Sequence, residues 1–183
     1  MDNNTSGNKQ NTDANSKISM LKGLRQRRDF SDRPVPDEVI NDLLEVARWT
    51  GSGMNTQPWE FVLVRNTDAL KEIARQENAG SHLAKAKFAI FILMEGTGNN
   101  IEAYDEGRLS ERLLLAASAH GLDGGIWWVK DGGAAARSVL GIPAEKGVRS
   151  AISFGYPVED DGTQPKRKDA RKPLSELVHE EKY

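Results

Sequence analysis

The stretch GSGMNTQPWEFVLV, residues 51–64, places a polar turn directly in front of an apolar strand. The turn combines two glycines with three hydrogen-bonding side chains: Gly51, Gly53, Ser52, Asn55 and Gln57. Glycine lets the backbone turn tightly and approach another molecule, while hydroxyl and amide groups both donate and accept hydrogen bonds. Taken alone, such a turn most often caps a helix and satisfies its own backbone. The neighbouring Trp59 favours a second interpretation, a loop that binds a ligand with a polar edge and a flat face.

The composition excludes several classes of function. A chain of 183 residues can bury a sizeable core, and its net charge of -2 argues against a dedicated nucleic-acid binder. Without cysteine, disulfides, thiolate metal sites and cysteine nucleophiles are excluded, and His82, His120 and His179 lack metal-ligand spacing. The apolar run FAIFILM is too short to span a bilayer, and the N-terminus has no signal core. We therefore expect a cytoplasmic protein with no metal, membrane or nucleic-acid partner.

Upstream of the turn, the sequence predicts a polar N-terminal segment followed by two helices. Residues 1–17 are almost purely polar, and we expect them to be disordered. A first helix begins at Ile18 and ends in an arginine-rich stretch. A second helix begins near Pro36, which suits the first helical position, and Gly51 ends it.

Downstream, apolar runs and helical periodicities follow one another without strict alternation. The predicted elements are a strand at 60–65, a helix capped by Thr67, a buried strand at 87–94, a helix from Tyr104 to His120, a strand at 124–129, a helix at 131–141 capped by Asp131, and a strand at 148–157. The fold class is therefore α+β, with a central mixed β-sheet packed between helices in a domain of residues 18–156.

Residues 157–183 form a C-terminal extension without clear periodicity. The sequence RKPLSELV within it contains enough apolar surface to dock: Pro173, Leu174, Leu177 and Val178. One interpretation is a disordered tail, and the other is a segment that packs on a second subunit, which we favour.

Two basic clusters flank the predicted domain. They comprise Arg25, Arg27 and Arg28 in LRQRRDF and Lys166, Arg167, Lys168, Arg171 and Lys172 in PKRKDARKP. Most such runs are solvated surface, and a nucleic-acid site would need interleaved aromatic residues and a positive domain. A third interpretation is that arginines from both clusters meet at one phosphate, because guanidinium groups bind phosphate oxygens bidentately and stay charged.

Several motifs in a defined order give the chain a family resemblance. RQRRDF, GSGMNTQPWEFVLV, HGLDGGIWWV, LGIP, GYP and RKPLSELV follow one another over about residues 20–178. In this order they resemble the FMN-dependent nitroreductase family. NTQPW before a strand and RKPL near the C-terminus are the most specific of these motifs.

The resemblance implies a set of cofactor-binding positions. Arg25, Gln26 and Arg28 correspond to residues that hold the FMN phosphate and ribityl chain, and Arg171 closes on the same phosphate. The flavin-contacting loop of the neighbouring subunit corresponds to Gly51, Ser52, Gly53 and Asn55, with Gln57 beside them. Ile126, Trp127 and Trp128 correspond to a strand end that lines one side of the flavin ring. The alternative for the two tryptophans is that at least one is core, because adjacent strand residues face opposite sides. The family also implies an intertwined homodimer with active sites at its interface.

Four positions depart from the family's common pattern. Leu24 replaces an arginine and Gln26 a serine of the first motif, which removes one positive charge near the phosphate. In the loop, Gly51 stands in place of a proline, and Met54 lies next to the expected ring position.

The resemblance implies a ping-pong oxidoreductase that passes electrons from NAD(P)H through FMN to a nitro compound, a quinone or a similar small electrophile. No catalytic side chain is predicted, because the flavin itself carries the chemistry. Three alternatives stay open. The first is a non-catalytic module that binds or sequesters flavin, and the second is a specialised member such as a dehalogenase, a flavin-fragmenting enzyme or a dehydrogenase. The third is a binder of nucleic acid or of an acidic partner that uses the two basic clusters.

Overall fold

The computed structural model describes residues 5–94, 100–129, 132–159 and 171–183, apart from the side chains of residues 5–11, 78 and 79. The α-helices of the described part are α1 (Thr5–Gly23), α2 (Asp37–Arg48), α3 (Thr67–Gln76), α4 (Asn100–Ala119) and α5 (Ala134–Leu140). The strands are β1 (Trp59–Val64), β2 (Phe88–Met94), β3 (Asp123–Trp128) and β4 (Gly147–Gly155). Short 3-10 turns cover Gly53–Asn55, Asn78–Lys85 and Leu174–Glu176.

The four strands form one sheet in the order β1-β2-β4-β3. Its register is defined by Ile90 of β2, which lies opposite Leu63 of β1 and Ile152 of β4, while Ile126 of β3 lies opposite Ile152. All three pairings are antiparallel, which corrects the mixed sheet expected from the sequence. The continuous apolar run of β2 reports burial on both faces, and that burial does not specify strand direction.

Helices cover both faces of the sheet. On one face, Ile90 and Ile92 of β2 belong to a core cluster with Leu43 of α2 and Leu109 and Leu113 of α4. On the other face, the intervening β2 residues pack with α3 and α5, in a second cluster that includes Phe91, Leu70, Ile73 and Ala136. Every residue of β2 is buried, as the sequence predicted for a central strand.

Helix α1 differs from the disorder expected for residues 1–17, since the described residues from Thr5 onward are helical. Its described side chains from Thr12 to Lys22 are exposed, and its tertiary contacts are with α4. A polar composition excludes burial in a core but allows helical backbone, because helical hydrogen bonds are local. The boundaries at residues 17 and 156 stay predictions.

Several helix ends differ by a few residues from expectation. Asn66 rather than Thr67 caps α3, because its Oδ1 accepts from the amides of Asp68 and Ala69. Helix α2 ends at Arg48, before Gly51, and α4 begins at Asn100 rather than Tyr104. Asp131, the expected cap of α5, lies outside the described residues. None of the helices in the described ranges is both long and apolar enough to cross a bilayer.

Candidate functional site

A cleft of about 760 Å³ opens between the end of α1, the middle of α4 and the C-terminal segment. We call it the α1–α4 cleft. Its walls include three leucines, Leu21, Leu24 and Leu114. The remaining lining residues are polar or charged: Lys22, Arg25, Gln26, Glu111 and Arg171. Three cationic side chains and one carboxylate therefore share a concave surface, which favours an anionic ligand.

Arg25 is held at the C-terminal end of α1. Its Nη1 donates to the carbonyl oxygens of Lys22 and Leu24, at 2.7 and 2.8 Å. The last carbonyls of a helix have no partner within the helix, so a guanidinium in this position caps them. This contact places a permanent positive charge at the mouth of the α1–α4 cleft.

The residues after Arg25 run along β3, which is an edge strand of the described sheet. The Arg27 amide donates to the Gly124 carbonyl at 3.0 Å, and the Ile126 amide donates to Gln26 Oε1 at 3.1 Å. These contacts satisfy backbone groups that an edge strand otherwise leaves open. The edge strand thus positions Gln26 through its side-chain oxygen, and a carboxamide bound in this way can still donate through its two N–H groups.

Arg28 lies against β3 instead of lining the α1–α4 cleft. Its Nη2 donates to the Ile126 carbonyl at 3.3 Å. Arg28 can lie this close to β3 because residue 125 is glycine. A Cβ added at Gly125 would lie 2.8 Å from Arg28 Cγ and 2.9 Å from the Arg27 carbonyl oxygen. Arg28 therefore fastens its own segment to the sheet, and its predicted contact with the phosphate stays a prediction.

A buried histidine lies behind this edge. His82 is only 5% exposed, and its Nδ1 lies 2.7 Å from Ser153 Oγ. The Ser153 hydroxyl donates to the Gly125 carbonyl at 3.2 Å, so it accepts from His82, whose proton is on Nδ1. His82 Nε2 is buried without a hydrogen-bond partner among the described residues. Burial, and secondarily the positive charge of Arg28, lower the pKa of His82 to about 4.

The segment of residues 51–57, the 51–57 loop, has an unusual backbone. Three of its residues other than glycine have left-handed φ angles: Met54 at 49°, Asn55 at 56° and Gln57 at 50°. Such conformations are disfavoured for side chains with a Cβ and concentrate at functional sites. Met54 is 94% exposed, and the tip of the loop therefore projects into solvent in the single chain.

Part of the polar chemistry of the 51–57 loop is used internally. The Gln57 amide donates to Ser52 Oγ at 2.8 Å, and Gln57 Nε2 donates to the Asn55 carbonyl at 3.3 Å. These bonds fit the first interpretation of the sequence, in which the turn satisfies its own backbone. They also hold the side chains of Ser52 and Gln57 on the same exposed bend.

The three predicted β3 positions do not share one surface. Trp127 is buried, packs edge-on against Phe91 and lies next to Gly80. Trp128 is exposed, and Ile126 is partly buried against the core cluster on the α4 side of the sheet. Because strand side chains alternate, Trp127 points to the opposite face and cannot line a ring beside Ile126 and Trp128. The assignment of Trp127 to the flavin is therefore corrected.

The structure thus brings together some of the predicted residues and separates others. Arg25, Gln26 and Arg171 line the α1–α4 cleft, although Arg171 is far from the other two in sequence. The 51–57 loop does not line this cleft within the single chain. The residues Lys166, Arg167 and Lys168 of the second basic cluster lie outside the described residues.

Sequence reasoning missed the contribution of α4. Glu111 and Leu114 line the cleft, and Asp105 and Arg108 contact the 51–57 loop. A signal for Asp105 was present, because it lies four residues before Leu109 on the buried stripe of α4, where an apolar residue is expected. A carboxylate in such a position needs a polar partner.

Comparisons with known proteins bear on the family and the fold of the chain. The model of the nitroreductase family matches residues 22–82. A Methanothermobacter thermautotrophicus protein assigned as an NADH dehydrogenase/NAD(P)H nitroreductase is 30% identical over 158 residues, which are 81% of this chain and 83% of the relative. Iodotyrosine deiodinase of Drosophila melanogaster is 26% identical over 196 residues, covering 87% of this chain and 67% of the relative.

The solved structures include an FMN-dependent nitroreductase from Clostridium difficile with a TM-score of 0.79. It is 23% identical, and the match covers 91% of this chain and 99% of the other. The α+β architecture is therefore the nitroreductase fold, as the sequence resemblance implied. Because the Methanothermobacter relative matches over most of both chains, the chain belongs to the nitroreductase family. The prediction that the protein is an oxidoreductase is confirmed at this level.

Proposed function

We propose that the protein is an FMN-dependent oxidoreductase. It takes electrons from NAD(P)H and passes them to a nitro compound, a quinone or a similar small electrophile, and it works as a homodimer. The α1–α4 cleft is the observation that carries this proposal. There, cationic side chains from the two ends of the chain, Arg25 and Arg171, line one concave surface of a nitroreductase fold.

The residues of the α1–α4 cleft fit the phosphate end of FMN. Lys22, Arg25 and Arg171 match a phosphate dianion in charge, and guanidinium groups match it in shape. Gln26 adds neutral amide donors suited to the hydroxyl groups of a ribityl chain. A volume of about 760 Å³ lies in the range of small-molecule and cofactor sites.

The 51–57 loop and β3 fit the ring end of the cofactor. Asn55 and Ser52 lie on an exposed bend whose hydroxyl and amide groups suit the polar edge of an isoalloxazine ring. Trp128 and Ile126 offer apolar surface on one side of the sheet edge. We assign the loop to the flavin bound by the neighbouring subunit, since it does not line the α1–α4 cleft of its own chain.

Bound FMN supplies hydride acceptance and electron donation, so the chain itself needs no acid–base pair. The chain binds and orients: the basic side chains hold the phosphate, and the loop donors face the ring edge. Donors fixed at the ring edge stabilise negative charge that develops there, because they require no reorganisation.

Stopped-flow mixing of the flavin-loaded protein with NADH and with NADPH tests this function. We expect the yellow absorbance to bleach within the time of one turnover with at least one nucleotide, and to return when a nitroaromatic or a quinone is added. The names of the relatives support NAD(P)H as the donor. Absorbance that stays oxidised with both nucleotides would indicate a flavin-binding module, and a protein that takes up no FMN would refute the proposal.

Reductive dehalogenation is the second candidate function. It is favoured by the similarity to iodotyrosine deiodinase, which extends over 87% of this chain. Incubation of the reduced protein with iodotyrosine and an iodide electrode distinguishes the two. Iodide release faster than that from free reduced FMN would support dehalogenation, whereas nitroaromatic turnover without iodide release supports the nitroreductase function.

The C-terminal segment supports the proposed homodimer. Leu174, Leu177 and Val178 are all more than half exposed in the single chain. An apolar row of this kind gains stability when a partner covers it. We expect sedimentation velocity to show a species of twice the chain mass, and Leu177→Asp to shift it toward the monomer.

Ser175→Asp provides the matched control, because it adds the same charge to the same exposed segment without removing an apolar side chain. It should leave the dimer intact. A wild-type protein that sediments as a monomer at micromolar concentration, with and without FMN, would contradict the docking of this segment.

A further inference from the structure

Asp105 is a buried carboxylate on the inward face of α4. It is 1% exposed and lies on the same helical stripe as Leu109 and Leu113. Its Oδ2 accepts a hydrogen bond from the amide of Gly53 at 3.1 Å. The contact joins the N-terminal third of the chain's longest described helix to the 51–57 loop, 52 residues earlier in the sequence.

Arg108 completes this connection one turn later on α4. Its Nη1 lies 3.4 Å from Asp105 Oδ1, and its guanidinium is 5.6 Å from the centre of the Tyr104 ring. The same guanidinium lies against Gly51, where an added Cβ would be 2.8 Å from Arg108 Nη2. Gly51 does not have a positive φ, so Arg108 is what restricts a side chain at this position.

The 51–57 loop needs an anchor of this kind. Its bend contains three left-handed residues with side chains, and its tip at Met54 is exposed. A backbone in a disfavoured conformation persists only where surrounding contacts determine it. The Gly53 amide lies immediately before the left-handed Met54 and Asn55, so a hydrogen bond at Gly53 acts where the strain begins.

We infer that Asp105 is a positioning residue of the flavin site. With Arg108, it clamps the Gly51–Gly53 backbone onto α4 and holds Ser52 and Asn55 on the bend that faces the ring edge. The inference rests on the proposed function for the identity of the ligand, but the clamp itself is a property of the chain without flavin. It also accounts for Gly51, which stands where the family commonly has proline: a larger residue would displace Arg108 from its place beside Asp105.

Hydrogen exchange of the flavin-free protein tests the clamp directly. We expect Asp105→Ala to accelerate exchange at the Gly53 amide by about 10-fold or more, since that amide loses its acceptor. Asp105→Asn retains a side-chain oxygen and should restore most of the protection. Glu72→Ala is the matched control, because it removes a carboxylate paired three residues away with Arg75 on α3, far in sequence from the loop. It should leave Gly53 unchanged.

A second pair of variants covers the case in which Asp105→Ala fails to fold. Gly51→Ala should accelerate hydrogen exchange in the loop because the added methyl group pushes Arg108 aside. In a protein that already contains Arg108→Ala, the same substitution should have no further effect. Independent, additive effects of the two substitutions would overturn the clamp. Gly53 protection that is unchanged in Asp105→Ala would also overturn it.

The functional consequence is measured on flavin-loaded protein. Asp105→Ala should alter the visible absorption maximum of bound FMN and slow its reduction by a nicotinamide, while FMN affinity, which depends on the phosphate end, stays within about 2-fold. A general loss of structure would instead weaken FMN binding and lower the melting temperature together. If no flavin binds at all, the proposed function fails, but the exchange data still decide whether the clamp exists.

Discussion

We expect Arg171→Ala to lower the affinity for FMN by roughly one to two orders of magnitude. The estimate follows from the loss of a charge-assisted contact with the phosphate, worth roughly 1.5–3 kcal/mol. Arg171 lines the α1–α4 cleft opposite the N-terminal cluster, so its removal leaves Lys22 and Arg25 to hold the phosphate alone. The measurement is a titration of the apoprotein with FMN, in which quenching of the flavin fluorescence reports binding.

Lys172→Ala is the control for Arg171→Ala. It removes the same charge from the next residue, which is exposed and does not line the cleft. Its effect on FMN affinity should be small and should disappear at high salt, because long-range attraction between exposed charges is screened. Equal losses in the two variants would show that the C-terminal segment acts only through net charge.

We expect His82 to lower the stability of the protein as the pH decreases from 6.5 to about 4. In the folded chain the pKa of His82 is lowered from 6.5 to about 4, chiefly by burial. Between these values the unfolded chain binds a proton that the folded chain does not, and unfolding is therefore favoured. The full shift corresponds to a loss of about 3 kcal/mol of stability, which is complete below pH 4 and absent above pH 6.5.

Urea denaturation at half-unit pH intervals measures this loss, with His82→Asn as the comparison. Asparagine offers an N–H for Ser153 but does not titrate, so the difference between the two stability profiles isolates His82. Burial raises the pKa of Asp123, and the positive charge of Arg27 opposes this shift. Because the folded chain then binds a proton at Asp123 more readily than the unfolded chain, Asp123 increases stability at acidic pH, whereas His82 decreases it. Because both proteins contain Asp123, its contribution cancels. Parallel profiles between pH 4 and 6.5 would contradict the assignment.

Much of the fold could be predicted from periodicity. The apolar face of α2 was apparent in Val39, Ile40 and Leu43, and these residues are buried. The uninterrupted run of β2 correctly indicated a central strand. The direction of the strands could not be obtained in this way, because burial on both faces is compatible with either direction. The helical state of residues 5–17 was missed because composition reports burial rather than backbone conformation.

The candidate site was predicted less evenly. The idea that arginines from both ends of the chain meet at one phosphate identified Arg25 and Arg171, which share the cleft. It also included Arg28, which the edge strand holds through the Ile126 carbonyl. A run of basic residues shows that charge is present, but the side-chain directions depend on the strand against which the run lies.

The family motifs, the apolar faces and the polar character of the 51–57 loop could be read from the sequence alone, because each depends on residues close together in the chain. The folded chain was needed to show that Trp127 belongs to the core, that Gly125 admits Arg28, and that Asp105 accepts a hydrogen bond from Gly53. These are contacts between segments far apart in sequence. Whether a side chain binds a ligand or supports the backbone depends on which distant segment packs against it, and local patterns narrow that choice without deciding it.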